Sequence, residues 1–177
     1  MMSGCRVRSM MNPSPKTAQA HRTRAARRLL AAAAVVLAMT APRAFAQAQP
    51  RLAQVELTAG IHLIRAEVAD QPTSRQMGLM FRERLGPNEG MLFVFNDRSP
   101  QCFWMKNTRV PLTIAFIADD GTIVNLADMQ PMDEASHCST QPVRYALEME
   151  QGWFARRGLK AGTRIGNSPL FGSKPAN

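Results

Sequence analysis

The first 46 residues contain eight Arg and Lys and not one Asp or Glu. That asymmetry divides the chain into two unlike parts. The whole chain has a net charge of +9, yet 8 of its 22 basic residues and none of its 13 acidic ones lie in this stretch. Residues 47–177 therefore hold 14 basic against 13 acidic side chains, a net of +1. A near-neutral domain has no broad basic face for nucleic acid, so no nucleic-acid partner is expected.

The order of features within 1–46 is that of a secretory signal. A basic region ends at Arg28, an apolar run covers Leu29 to Met39, and Ala44-Phe45-Ala46 fits a small-x-small cleavage pattern. The apolar run has 11 residues, whereas a membrane-spanning helix needs roughly 20. The expectation is cleavage after Ala46, no stable membrane span afterwards, and a periplasmic or secreted domain. A linker is expected over 47–54, one domain over 55–166, and a loose tail over 167–177, which contains Asn167, Pro169, Gly172 and Pro175.

Two cysteines remain beyond the export segment, Cys102 and Cys138. In an exported domain an even count is read as a disulfide. The alternative is two buried free thiols.

The domain reads as mostly β. Candidate strands are 55–58, 61–69, 91–95, 102–106, 112–118, 122–129, 145–149 and 163–165. Met91-Leu92-Phe93-Val94-Phe95 is a continuous apolar run, expected to be buried on both faces. Asp119-Asp120-Gly121 marks a hairpin turn. Pro72 suits the first turn of one short helix. A second, 151–157, stops at Gly158 with Leu159 placed for a Schellman cap. Short links without regular βαβ alternation predict an α+β, mainly β fold: an antiparallel, partly closed sheet or small barrel with two short helices.

Certain runs within this domain are recognisable. They are Gly78-Leu79-Met80-Phe81-Arg82, Glu89-Gly90-Met91-Leu92-Phe93-Val94-Phe95, Phe103-Trp104-Met105-Lys106-Asn107-Thr108, and Pro111-Leu112. With Ala146-Leu147-Glu148, Gly152-Trp153-Phe154, Gly158-Leu159 and Gly162, they resemble the bacterial Domain of Unknown Function 192 family across about 62–166. The resemblance implies a small β-rich exported domain and carries no assigned activity or catalytic residue. Many members have Asp after the Pro-Leu pair, where this chain has Thr113.

The candidate site is the end of the 102–106 strand. Alternation would place Trp104, Lys106 and Thr108 on one face and Phe103, Met105 and Asn107 on the other, with Asn107 also counted as a candidate at this strand end. An aromatic plate next to a cation and a hydroxyl suits a small polar ligand. Arg75, Arg82 and Glu148 could join it. The plainer alternative makes Trp104 core and gives Asn107 and Thr108 a turn-shaping role. Glu148 is read as a buried partner for an Arg or Lys.

Two Met-x-x-Met pairs, Met77/Met80 and Met129/Met132, raise Cu(I) binding as an alternative, because thioethers are soft ligands. Met also fills irregular core gaps. Only His62 and His137 remain for zinc, and no ligand spacing fits. Hydrolase elbows, metalloprotease helices and phosphate loops are missing from the sequence. The chain is therefore expected to be a non-catalytic domain binding a small polar ligand or an envelope partner, without a cofactor. An envelope enzyme acting on sugar or cell-wall material is the runner-up.

Overall fold

The computed structural model describes residues 47–171. The expected export segment, 1–46, and the last part of the expected tail, 172–177, lie outside the described residues.

Among the described residues, nine strands carry the fold. They are β1 (Gln54–Ala59), β2 (His62–Ala69), β3 (Glu89–Ser99), β4 (Cys102–Phe103), β5 (Leu112–Ile117), β6 (Ile123–Met129), β7 (His137–Cys138), β8 (Val143–Glu150) and β9 (Ile165–Gly166). Seven form one sheet in the order β6-β5-β8-β3-β2-β1-β9, and β4 pairs with β7 separately. The large sheet curls until its ends approach: Thr122, just before β6, bridges Arg164, just before β9. Hydrogen bonds Ile123 N–H to Thr163 O (2.8 Å) and Ile165 N–H to Gly121 O (2.8 Å) reinforce that meeting. The expected mainly β, partly closed sheet is what forms.

One pairing differs from the expected antiparallel pattern. β2 and β3 run parallel, with Glu67 opposite Met91 and Val68 opposite Leu92. Parallel neighbours need a crossover instead of a tight turn. Residues 70–88 supply it, and helix α1 (Pro72–Met77) lies within them. Pro72 occupies the first turn, where its missing N–H costs nothing. The Ser74 hydroxyl accepts from Gln71 N–H (3.1 Å) and so ties down the helix start. Gly78, at φ 49°, ends the helix in a conformation that side chains disfavour. The second expected helix is a 3-10 turn, Ala155–Arg157. Its exit matches expectation: Gly158 is left-handed, and Leu159 N–H reaches Phe154 O at 3.0 Å.

Alternation along the strands makes two apolar layers. Ile64, Leu92, Ala115, Tyr145, Leu147 and Met149 belong to the layer enclosed by the curl. Met91, Phe93, Leu112, Ile114, Phe116 and Ala146 face the other way, where Leu79, Met105 and Val110 cover them. β5 is buried at every position and β8 at every position but Glu150. The 91–95 run is fully buried through Phe93 and half-buried at Val94 and Phe95. Gly90 lies close to β8: a Cβ there would meet Glu148 O at 2.4 Å, so the β3–β8 pairing requires glycine.

Thr113 sits at the β5–β6 seam. Its hydroxyl donates to Asp128 Oδ1 (2.6 Å) and accepts from Gly152 N–H (3.0 Å). The carboxylate in this region therefore comes from Asp128, across the strand pair.

Cys102 and Cys138 face each other across β4 and β7 and form a disulfide. The bridge closes a loop with a sequence separation of 36. Opening such a loop costs roughly 3–4 kcal/mol in the chain-entropy account. The Cys102→Ser/Cys138→Ser double variant should lose about that much stability in urea unfolding, and so should wild type under reductant. Unchanged midpoints in both would refute a stabilising disulfide.

Candidate functional site

The site is built on β8. Glu148 follows Ala146 on the face that packs beneath α1, with Met91 of β3 on one side and Ile114 of β5 on the other. Both neighbouring strands are paired, so water has no edge from which to approach. Glu148 retains only 4% of its accessible surface. Among the described residues, no side-chain hydrogen bond or ion pair reaches its carboxyl. Burial alone pushes this carboxyl up from 4.5 to about 8. The expectation that an Arg or Lys would partner Glu148 is not met.

That ion pairing occurs two strands away, at a residue that the sequence pattern did not single out. Glu67 of β2 stands opposite Met91, on the same face and in the same row as Glu148. It is 2% exposed and accepts from Arg51 (2.9 Å), Leu52 N–H (2.9 Å) and Arg82 (3.0 Å). Arg82 is thereby committed to a structural network and lines no cavity beside Trp104. The available signal is parity: Glu67 falls on the same face of β2 as Ala69, whose side chain is core.

A cavity of about 250 Å³ opens above Glu148. Phe93 and Phe95 of β3, Phe103 of β4, Trp104, Met77 and Met80 are among its walls. Phe103 meets Phe93 edge-on with ring centres 4.8 Å apart. A Cβ on Gly78 would come within 3.3 Å of the Phe93 ring, so glycine leaves room for this packing. Arg75 lines the same cavity from α1. Its guanidinium donates to Asp70 O and to Val94 O (3.0 Å) and lies 5.3 Å from the centre of the Phe95 ring.

β4 is shorter than expected and ends at Phe103. The chain then turns, with Asn107 at φ 57° and Thr108 N–H bonded to Met105 O (3.0 Å). Strand alternation therefore fails beyond Phe103. Met105 and Thr108 are buried, whereas Trp104 is 47% exposed. The Thr108 hydroxyl donates to Lys106 O (3.3 Å), the turn-shaping role of the plainer alternative. Asn107 accepts Phe81 N–H at its carbonyl (2.9 Å), which ties this turn to the segment after α1.

A second cavity, about 580 Å³, lies outside the first and shares Gln76, Met77, Met80 and Trp104 with it. Lys106 and Asn107 line this outer space. The Lys106 ammonium sits 5.0 Å from the centre of the Trp104 ring. The expected site residues are thus arranged in depth: Lys106 and Asn107 outside, Trp104 at the junction, Thr108 and Glu148 within. Met77 and Met80 line both cavities. Met129 is fully buried and Met132 is 58% exposed, and neither lines either cavity.

Chemically, the arrangement offers a neutral acid at the base of an aromatic, thioether-lined space. Folded Glu148 holds its proton up to about pH 8, whereas an unfolded Glu releases it near 4.5. The stabilisation from this raised value is complete below pH 4.5 and is lost as pH rises towards 8. Wild-type unfolding free energy should therefore fall by a few kcal/mol across that window. In Glu148→Gln the fall should be absent, as read by denaturant curves at each pH. Equal slopes in the two proteins would contradict the assignment.

The comparisons with known proteins bear on the whole domain. No curated protein matches the chain. Two solved structures are similar to it. One is a protein from Sinorhizobium meliloti, provisionally described as a transcription regulator, with 38% identity and a TM-score of 0.62. The match covers 67% of this chain and 96% of that one. The other is a protein of unknown function from Novosphingobium aromaticivorans, with 36% identity and a TM-score of 0.63, over 70% of this chain and 94% of that one. The Domain of Unknown Function 192 family, described as an uncharacterized ACR, matches residues 54–166, which take in all nine strands and α1. The chain belongs to the Domain of Unknown Function 192 family.

Proposed function

We propose that this protein is an exported, non-catalytic domain that binds a small ligand in the cavity above Glu148. The observation that carries this reading is the Glu148 carboxyl, buried and without a side-chain partner among the described residues, at the base of that cavity. A carboxyl that meets no side-chain partner is open to one from a bound molecule. An aromatic cavity holding one unpaired polar group is the usual form of a small-molecule site.

Binding is favoured over sugar hydrolysis by the carboxyl count. Glycoside hydrolysis commonly needs two carboxyls flanking the bond. Glu148 is the one carboxyl among the described residues lining this cavity. Export rests on the signal-like order of features in 1–46. A Cys102–Cys138 disulfide is compatible with it, and no described helix is long and apolar enough to cross a membrane.

The test is a thermal-shift screen of protein recovered from the periplasm, its N-terminus at Gln47 by mass. A panel of metabolites and cell-wall fragments should include a compound that raises the melting temperature of wild type. Trp104→Ala should lose that shift while still unfolding cooperatively. Retention of residues 1–46, or a panel without one stabilising compound, would count against the corresponding half of the proposal.

A further inference from the structure

Resting on the reading of this cavity as a ligand site, we propose that its ligand is a small organic cation. We infer a primary amine with an apolar body, whose ammonium pairs with the Glu148 carboxylate. Three features of the cavity point there.

The first is the unpartnered acid. Glu148 keeps 4% of its surface accessible, and it lines the cavity. A ligand ammonium would bring the counter-charge that Glu67 obtains from Arg51 and Arg82 and that Glu148 lacks. Away from bulk water such a charge-assisted pair is stronger than it is in solution.

The second is the aromatic wall. Ring faces attract cations, and this wall already holds two of the protein's own. Arg75 stacks at 5.3 Å on Phe95, and Lys106 at 5.0 Å on Trp104. Phe93 and Phe103 form the wall between them and carry no such cation among the described residues.

The third is size. A cavity of about 150 Å³ is enough for benzene. At about 250 Å³ this one takes a phenyl-sized group with a short aminoalkyl arm.

The free protein carries Glu148 protonated below about pH 8. The amine arrives already as ammonium. Pairing requires the Glu148 proton to leave for solvent, so one proton is released for each amine bound. The charged groups around Glu148 are few. Arg75 faces the cavity from α1, Lys106 lies beyond Trp104, and Glu67 stands past Met91 with Arg51 and Arg82. β5 presents Ile114, β4 presents Phe103, and β7 places His137 opposite Phe103. None of these charges contributes to the raised value of Glu148, which burial alone causes.

The probes are phenethylamine, the neutral isostere 2-phenylethanol and the anion 3-phenylpropanoate. Purified protein is titrated by calorimetry in two buffers of different ionisation enthalpy. For phenethylamine near pH 7, release of close to one proton is expected. Its apparent affinity should rise about tenfold per pH unit below the Glu148 titration and level off above it. The alcohol should bind at least about tenfold more weakly and release no proton. Glu148→Gln should lose the proton release and the pH dependence of amine binding. If that variant does not fold, the wild-type proton count decides. Amine binding without proton release, or tighter binding of the anion than of the amine, overturns the cation assignment and leaves the ligand-site reading intact. Failure of all three probes at millimolar concentration overturns the aryl-amine assignment, and the ligand-site reading falls with it only if the metabolite panel also gives no thermal shift.

Discussion

Strand β8 is buried at every position but Glu150. β3 and β5 pair along its two edges, and an apolar layer covers each side of the sheet. A charged carboxylate placed there without a partner faces a desolvation cost of several kcal/mol, and the group remains neutral instead. The acid of Glu148, the cavity above it and the curl of the sheet are thus one arrangement. Within the curled sheet β8 is buried on both sides, and that burial sets the state of the carboxyl. Gly90 lets β3 come close enough to seal the edge.

The same row of the sheet contains the opposite solution. Glu67, Met91, Glu148 and Ile114 stand side by side across four strands. Glu67 is as deeply buried as Glu148, yet it is held by two arginines and a backbone N–H. Its network ties residues 51–52, outside the sheet, and Arg82, beyond α1, to β2. That fixes the crossover from which Arg75, Met77 and Met80 reach the cavity. One buried glutamate supports the frame, and the other is left for whatever enters it.

Local chemistry makes much of the fold legible in the sequence itself. The Asp119-Asp120-Gly121 turn, the Pro72 helix start and the Gly158 stop are written in neighbouring residues, and each forms as expected. Even the pairing of Cys102 with Cys138 needs only a count and a compartment. Features set by distant partners are the hidden ones. The parallel β2–β3 pairing depends on how the 70–88 crossover returns, which strand patterns alone do not reveal. Strand alternation puts Trp104 and Lys106 on one face, but the left-handed Asn107 and the bond from Met105 N–H to Asp133 O turn the chain away after Phe103. Arg82 and Glu148 both look like halves of an ion pair. Only the register shows that Arg82 belongs to Glu67.

Burial holds Glu148 as a neutral acid in the folded protein at neutral pH. Infrared difference spectroscopy reads this directly, comparing wild type with Glu148→Gln across a pH titration. A protonated carboxyl C=O band is expected at neutral pH, absent from the variant and disappearing with a midpoint of about 8. A carboxylate band already complete at neutral pH, with a midpoint near the ordinary 4.5, would contradict it.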